Sequence, residues 1–140
     1  MSTAGDIINQ ALKDVGVIGP GEAASGDDVV DALDTLNQIF ADWLILPTLV
    51  PKAPFVLSQV AELTDPLNLP AHYDSALRYT LGERLLTTFG LATRGDIIRM
   101  AALARKALKR SNLVIPELEI PEPLLHSRLY GAFCGDDPCA

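Results

Sequence analysis

Between Pro70 and Phe89 apolar residues recur on two sides of one helical cylinder, and that pattern limits the fold more than any other feature. Leu77, Leu81 and Leu85 step by four, while Ala76, Tyr79 and Leu86 fall on a different side. Pro70 is placed in the first turn, where its missing N–H has no intrahelical partner to lose, and Gly90 closes the segment. A small domain has room to cover one such face. The second face is therefore expected to meet a partner subunit.

Three further helices are legible. The first runs from about Ala4 to Val15, with Ile7, Ala11 and Val15 spaced by four and Gly16 as its stop. After the loop Gly16-Val17-Ile18-Gly19-Pro20-Gly21, Ser25 and Asp28 predict a capping box opening the longest helix. Its seam is Val29, Leu33, Leu36, Phe40 and Trp43, all within about 40° of one line at ~100° per residue, and Pro47 ends it. Thr93 and Asp96 predict a second box, for a fourth helix with the seam Ile97, Ala101, Ala104 and Leu108. The small alanines there let another helix come close.

The expected fold class is all-α, a four-helix bundle-like core. Pro47, Pro51, Pro54 and Pro66 punctuate the β-prone pieces Phe55-Val56-Leu57 and Val60, predicting an extended Pro-rich or two-stranded excursion over residues 48–67. After Ser111, Pro116, Pro121, Pro123 and Pro138 interleave with apolar residues, a composition that bars helix and central strand yet is too apolar for an inert tail. The division is a helical domain at 1–110 and an extended carboxy-terminal arm at 111–140 that lies across a surface, its own or another protein's.

Composition narrows the class. At 140 residues, 49% apolar and 21% charged, the chain is one globular domain. No apolar run approaches the ~20 residues that cross a bilayer. Met1 to Asp6 holds no Lys or Arg, so a signal peptide is not expected and the protein is placed in a cytosol or in something assembled there. The net charge of −7 hides an asymmetry. Residues 1–70 carry ten acidic and two basic groups, residues 71–110 three and eight, and residues 111–140 five and one. An acidic front half and a basic later stretch can draw a neighbouring copy head to tail.

Asp27-Asp28-x-x-Asp31 matches the pattern by which helical prenyl synthases hold magnesium diphosphate, but the second acid-rich motif that such a site needs is missing. Asp27, Asp31, Asp34 and Asp42 lie opposite the apolar seam, which reads as a solvated or inter-subunit face, and acids at a helix start are favoured by the dipole. On the fourth helix Arg99, Lys106, Lys109 and Arg110 lie opposite its seam. They form either a DNA-facing stripe or a contact with a neighbour's acidic face; the net charge and the lack of interleaved aromatics favour the neighbour. His72 and His126 have no nucleophile pattern around them. Cys134 and Cys139 are too few for zinc and read as free thiols, with a local disulfide geometrically open. No catalytic residue, cofactor or metal site is read, and the chain is expected not to be an enzyme.

The run Leu69-Pro70-x-x-Tyr73-x-x-Ala76-Leu77-x-Tyr79, with Asp6-Ile7-Ile8-Asn9-Gln10-Ala11-Leu12 and Ser25 to Trp43 before it, resembles the head-to-tail connector proteins of tailed bacteriophages. The nearest likeness is to the tail accessory, or packaged-DNA stabilisation, factors of short-tailed phages, over roughly residues 3–110. That resemblance implies a structural virion protein at the neck, made in the host cytoplasm. Twelve copies would form a ring beneath the portal protein, extending the DNA channel, retaining the genome and receiving tail or stopper proteins. The packaged DNA would pass through without sequence-specific binding, and no membrane would be involved. The arm would contact the portal through Val114, Ile115, Leu118, Ile120, Leu124, Leu125, Tyr130 and Phe133. The competing reading is a DNA-binding regulator using helices three and four as a helix-turn-helix, for which Arg94 and Arg99 are the available readers.

Overall fold

The computed structural model describes residues 2–19 and 21–113. Four helices form: α1 (Ala4–Val15), α2 (Gly26–Ile45), α3 (Ala71–Thr88) and α4 (Gly95–Asn112). The all-α reading holds among the described residues. The only β pairing there is an isolated antiparallel bridge between Thr3 and Pro66.

Helix starts follow local chemistry except where tertiary contacts override it. Thr3 and Asp6 make a reciprocal capping box on α1, the same Ser/Thr-x-x-acid spacing read at Ser25 but not read here. Gly16 closes α1 at φ 87°, a left-handed position that favours glycine. At α2 the Ser25 hydroxyl accepts from the Asp28 N–H at 3.3 Å, one half of the expected box. Pro70 is the N-cap of α3, one position before the first turn proper. At α4 the Thr93 box does not form, because Arg94 is the N-cap. The Arg94 guanidinium reaches back to the Asp14 carbonyl at 2.5 Å and to Asp96 at 2.9 Å, so a contact with α1 decides where the helix begins.

The centre of the fold is α3, which packs against each of the other three helices and most extensively against α4. Its buried residues are Tyr73, Ala76, Leu77, Thr80, Leu81, Gly82, Leu85 and Leu86, so the first apolar side is covered and, of the second, Ala76 and Leu86 are buried while Tyr79 is half-buried. Most of the face expected to meet a partner subunit thus lies inside the chain. A helix surrounded by α1, α2 and α4 hides most of two faces within one small chain, a solution the single-helix pattern does not reveal.

α3 and α4 run side by side in opposite directions. Ile97 lies beside Gly82, Arg105 bonds Thr80 and Glu83, and Asn112 bonds Tyr73. The two helices meet closely at Gly82, where a Cβ would sit in ordinary contact, 3.5 Å from both Ile97 of α4 and Val15 of α1. Ile97, Ala101 and Leu108 are buried as read, with Ala104 half-buried.

On α2 the buried set is Ala32, Thr35, Leu36, Ile39, Phe40 and Trp43, while Val29 and Leu33 are only half-buried. The inward face is thus turned by about 50° from the predicted line. Thr35 explains the turn. Its hydroxyl donates to the Asp31 carbonyl at 2.8 Å, so a residue counted as polar is satisfied locally and packs inside.

The segment between α2 and α3 contains no strand and does not project. Leu49, Pro51, Leu57, Val60, Leu67 and Leu69 are buried. The Asn37 side chain pins it to α2, donating to the Val60 carbonyl at 3.0 Å and accepting from the Val60 N–H at 2.9 Å. Its carbonyls also accept the first N–H groups of α1, Ala4 to Asp65 at 3.1 Å and Gly5 to Leu63 at 2.8 Å. Buried backbone groups are thereby satisfied without regular structure. The arm residues Val114, Ile115, Leu118, Ile120, Leu124, Leu125, Tyr130 and Phe133 lie outside the described residues, as do His126, Cys134 and Cys139.

Candidate assembly surface

Among the described residues, runs of exposed charged side chains lie along α2 and α4. In residues 71–110, four of the eight cations are committed within the chain. Arg78 grips Asp14 through two bonds of 2.5 and 2.6 Å, and Arg84 holds Asp42 at 2.5 Å. Arg94 pairs with Asp96, and Arg105 with Glu83. The remaining four are Arg99, Lys106, Lys109 and Arg110. All are exposed, and none has a carboxylate partner among the described residues. They are the four that the sequence places opposite the α4 seam.

The acidic side behaves likewise with one exception. Asp27, Asp31 and Asp34 are exposed along α2 and make no ion pair among the described residues. Asp42, grouped with them in the sequence, turns to Arg84 of α3 and so helps dock α2 instead. Both α2 and α4 pack mainly on α3, so the two charged faces belong to different flanks of the central helix.

Near the end of α2 an open groove is lined by Asp42, Trp43, Leu46, Leu49, Thr80, Glu83, Arg84, Thr87, Arg105 and Lys109. Each of its carboxylates is held by an arginine, an arrangement that braces helices. Its lining contains no Ser, Cys or His. Among the described residues no three of His, Cys, Asp and Glu gather as a metal site, Asp27, Asp28 and Asp31 included. No described helix is long and apolar enough to cross a membrane. His72 is exposed at the start of α3, its ring 5.0 Å from that of Tyr73.

Two apolar features of the surface escaped the sequence reading. Leu44, Ile45 and Leu46 are exposed where α2 ends, Ile45 by 78%. On α4, Met100 and Leu103 are exposed by 43% and 52%, with Ala107 also exposed. These three step by three and four along one line that runs beside the line of Arg99, Lys106 and Arg110. The spacing is legible in the sequence, beside the line of cations.

Neither a protein-family model nor a curated relative matches the chain.

Proposed function

We propose that the protein is a structural connector, a head-to-tail adaptor of a tailed-phage virion that assembles as a ring beneath the portal. The supporting observation is the pairing of unspent charge. Asp27, Asp31 and Asp34 stand on one flank of α3 and Arg99, Lys106, Lys109 and Arg110 on another, with no ion-pair partner for either set among the described residues. A patch that matches a different patch on the same molecule makes a heterologous contact, and repetition of that contact closes a ring when the rotation allows. Electrostatic matching sets register and partner choice more than affinity.

In this reading about twelve copies, the number being the one the resemblance carries, extend the DNA channel and offer a platform to tail or stopper proteins. The arm from Val114 to Phe133 contacts the portal. Carboxylates turned to the lumen repel phosphate and let DNA slide. The helix-turn-helix alternative fits less well, since its two helices cross at about 90–120°, whereas α3 and α4 lie alongside one another from Gly82 and Ile97 to Tyr73 and Asn112.

The test is incorporation into portal-bearing particles, read by electron microscopy of the neck. Arg99→Glu with Lys106→Glu is expected to abolish ring density, and Asp31→Lys with Asp34→Lys on the same chain to restore it. Sequence-preferring gel shifts by the isolated chain, with no neck density, would overturn the connector in favour of the regulator.

A further inference from the structure

The outward faces of α2 and α4 share one spacing. On α2 the residues Asp27, Asp31, Asp34, Gln38, Ala41 and Ile45 follow one another by four, three, four, three and four. On α4 Arg99, Leu103, Lys106, Arg110 and the C-cap residue Leu113 do so by four, three, four and three. At ~100° per residue each set stays within about 40° of a single line. Every member of both lines is exposed, and none of their charges enters an ion pair among the described residues. Alternating steps of four and three are what two helices need to keep one seam in contact along their length, crossing at about 20°.

We infer that the two lines are halves of one contact: α4 of one copy lies along α2 of a second copy, side by side and pointing the same way. Set in step, Asp27 meets Arg99, Asp34 meets Lys106, Gln38 meets Arg110, and the small Ala41 makes room for Leu113. Asp31 falls opposite Leu103, between the two cations. Val30, 57% exposed on the flank of the α2 line, comes to lie beside Ala107. Turned end for end, the register that keeps two acid–cation pairs brings Asp27 to Arg110 and Asp31 to Lys106. It also sets Asp96 on Ala41 and carries Leu113 beyond the start of α2 at Gly26. Charge matches the two faces, and the apolar end of the seam chooses the direction. Exposed ion pairs alone add little, so cover for Val30 and Leu113 is part of what holds the copies together. A contact between different faces of identical chains leaves one α2 and one α4 free at the ends, and so it propagates. Its place in a ring rests on the connector reading; the pairing itself rests on the two faces.

The test uses the full chain in solution, without any portal, with Cys134→Ser and Cys139→Ser in place. A chain carrying Ala41→Cys is mixed with one carrying Leu113→Cys and oxidised, and the mixed dimer is identified by its mass. It is expected to form at least about tenfold faster than the mixed dimer of Ala41→Cys with Asp96→Cys, the pair that the reversed direction requires, because a disulfide closes only where two Cβ atoms come within about 4.5 Å. Lys106→Glu on the Leu113→Cys chain should slow linking by roughly tenfold, the scale of an exposed ion pair turned into a like-charge clash. Asp34→Lys on the Ala41→Cys chain should recover it. Equal rates for the two pairings overturn the proposal, and so does a Lys106→Glu loss that Asp34→Lys leaves unrepaired. Neck density with equal linking rates keeps the connector and sinks this contact. Fast linking of the Ala41→Cys and Leu113→Cys chains with no neck density does the reverse.

Discussion

Asn112, the last residue of α4, donates a 2.5 Å hydrogen bond to the hydroxyl of Tyr73 near the start of α3. The same amide donates to the Thr48 and Val50 carbonyls at 3.1 and 3.3 Å, and the Tyr73 hydroxyl donates to the Leu49 carbonyl at 3.1 Å. Three parts of the chain that share no sequence proximity meet at these two side chains. Trp43 of α2 closes the arrangement, edge-on to the Tyr73 ring at 6.3 Å between centroids.

Removing the amide should therefore be felt well away from the end of α4. Asn112→Ala leaves the Thr48 and Val50 carbonyls without that donor, which costs about 1–3 kcal/mol when the acceptors are sheltered from water. A thermal melt should show the loss, and Tyr73→Phe in the same background should add less than it does alone, because the two groups are coupled. A chain ending at Leu113 keeps Asn112 and the bonds its amide makes. One ending at Arg110 lacks them and should melt below it. Equal melts for the two truncations would show that Asn112 holds nothing.

This joint also marks how far the sequence could be read. Helix positions were legible because caps and four-residue spacing are local properties, as Gly16 and the Ile97 to Leu108 seam illustrate. The boundary placed at 110 falls two residues inside α4, since the anchor that extends the helix is Tyr73, thirty-nine positions earlier. The start of α4 shifted for the same kind of reason, through Arg94 and Asp14. The four outward cations were legible because no carboxylate among the described residues pairs with them. Asp42 was misgrouped because periodicity shows which face a residue occupies but not that Arg84 stands opposite.

Burial pushes the Tyr73 phenol above its ordinary 10.0, and the Asn112 bond draws it part of the way back. The folded state thus favours the neutral phenol. Its contribution to stability is whole below the unfolded tyrosine's 10.0 and is lost as pH rises from there through the folded value. Tyrosine ring-carbon resonances should show Tyr73 titrating above the ordinary 10.0. Asn112→Ala should raise it further, and a fall on that substitution would contradict the assigned balance.

Gly5 is buried in the first turn of α1, and a Cβ there would lie 3.0 Å from the Leu63 carbonyl oxygen. That oxygen already accepts the Gly5 N–H at 2.8 Å, so it cannot retreat without breaking the bond that joins α1 to the preceding loop of α3. Gly5→Ala gains about 0.8–1 kcal/mol of helix propensity and meets about 1–3 kcal/mol of overpacking. A net loss of roughly 1 kcal/mol is expected from the difference. Chemical denaturation checks it, and a stabilised variant would show that the loop yields.

At the acidic end Asp6 behaves oppositely to Tyr73. Its carboxylate accepts from the Thr3 N–H at 3.0 Å and from the Thr3 hydroxyl at 2.8 Å, and the backbone bond followed by the side-chain bond holds it below the ordinary 3.8. The box contributes above the unfolded aspartate's pKa and is lost as pH falls through the folded one. Carboxyl-carbon resonances should show Asp6 titrating below the ordinary 3.8, and Thr3→Ala should return it toward that value.

Charge within the fold and charge on its surface can be separated by where each cation's partner lies. Arg78 and Asp14 join α3 to α1 by a forked pair, with side chains 33% and 23% exposed. Such a pair is stronger than a single contact, yet solvent screens it, so Arg78→Met should cost about 1–2 kcal/mol. Arg99→Glu with Lys106→Glu breaks no pair among the described residues and should leave the melt within about 0.5 kcal/mol. The first change should weaken folding without redirecting assembly. On the connector reading the second should abolish assembly in a chain that folds normally, and that contrast would tie the outward cations to a partner surface. If both variants unfold alike, the α4 charges are part of the fold itself.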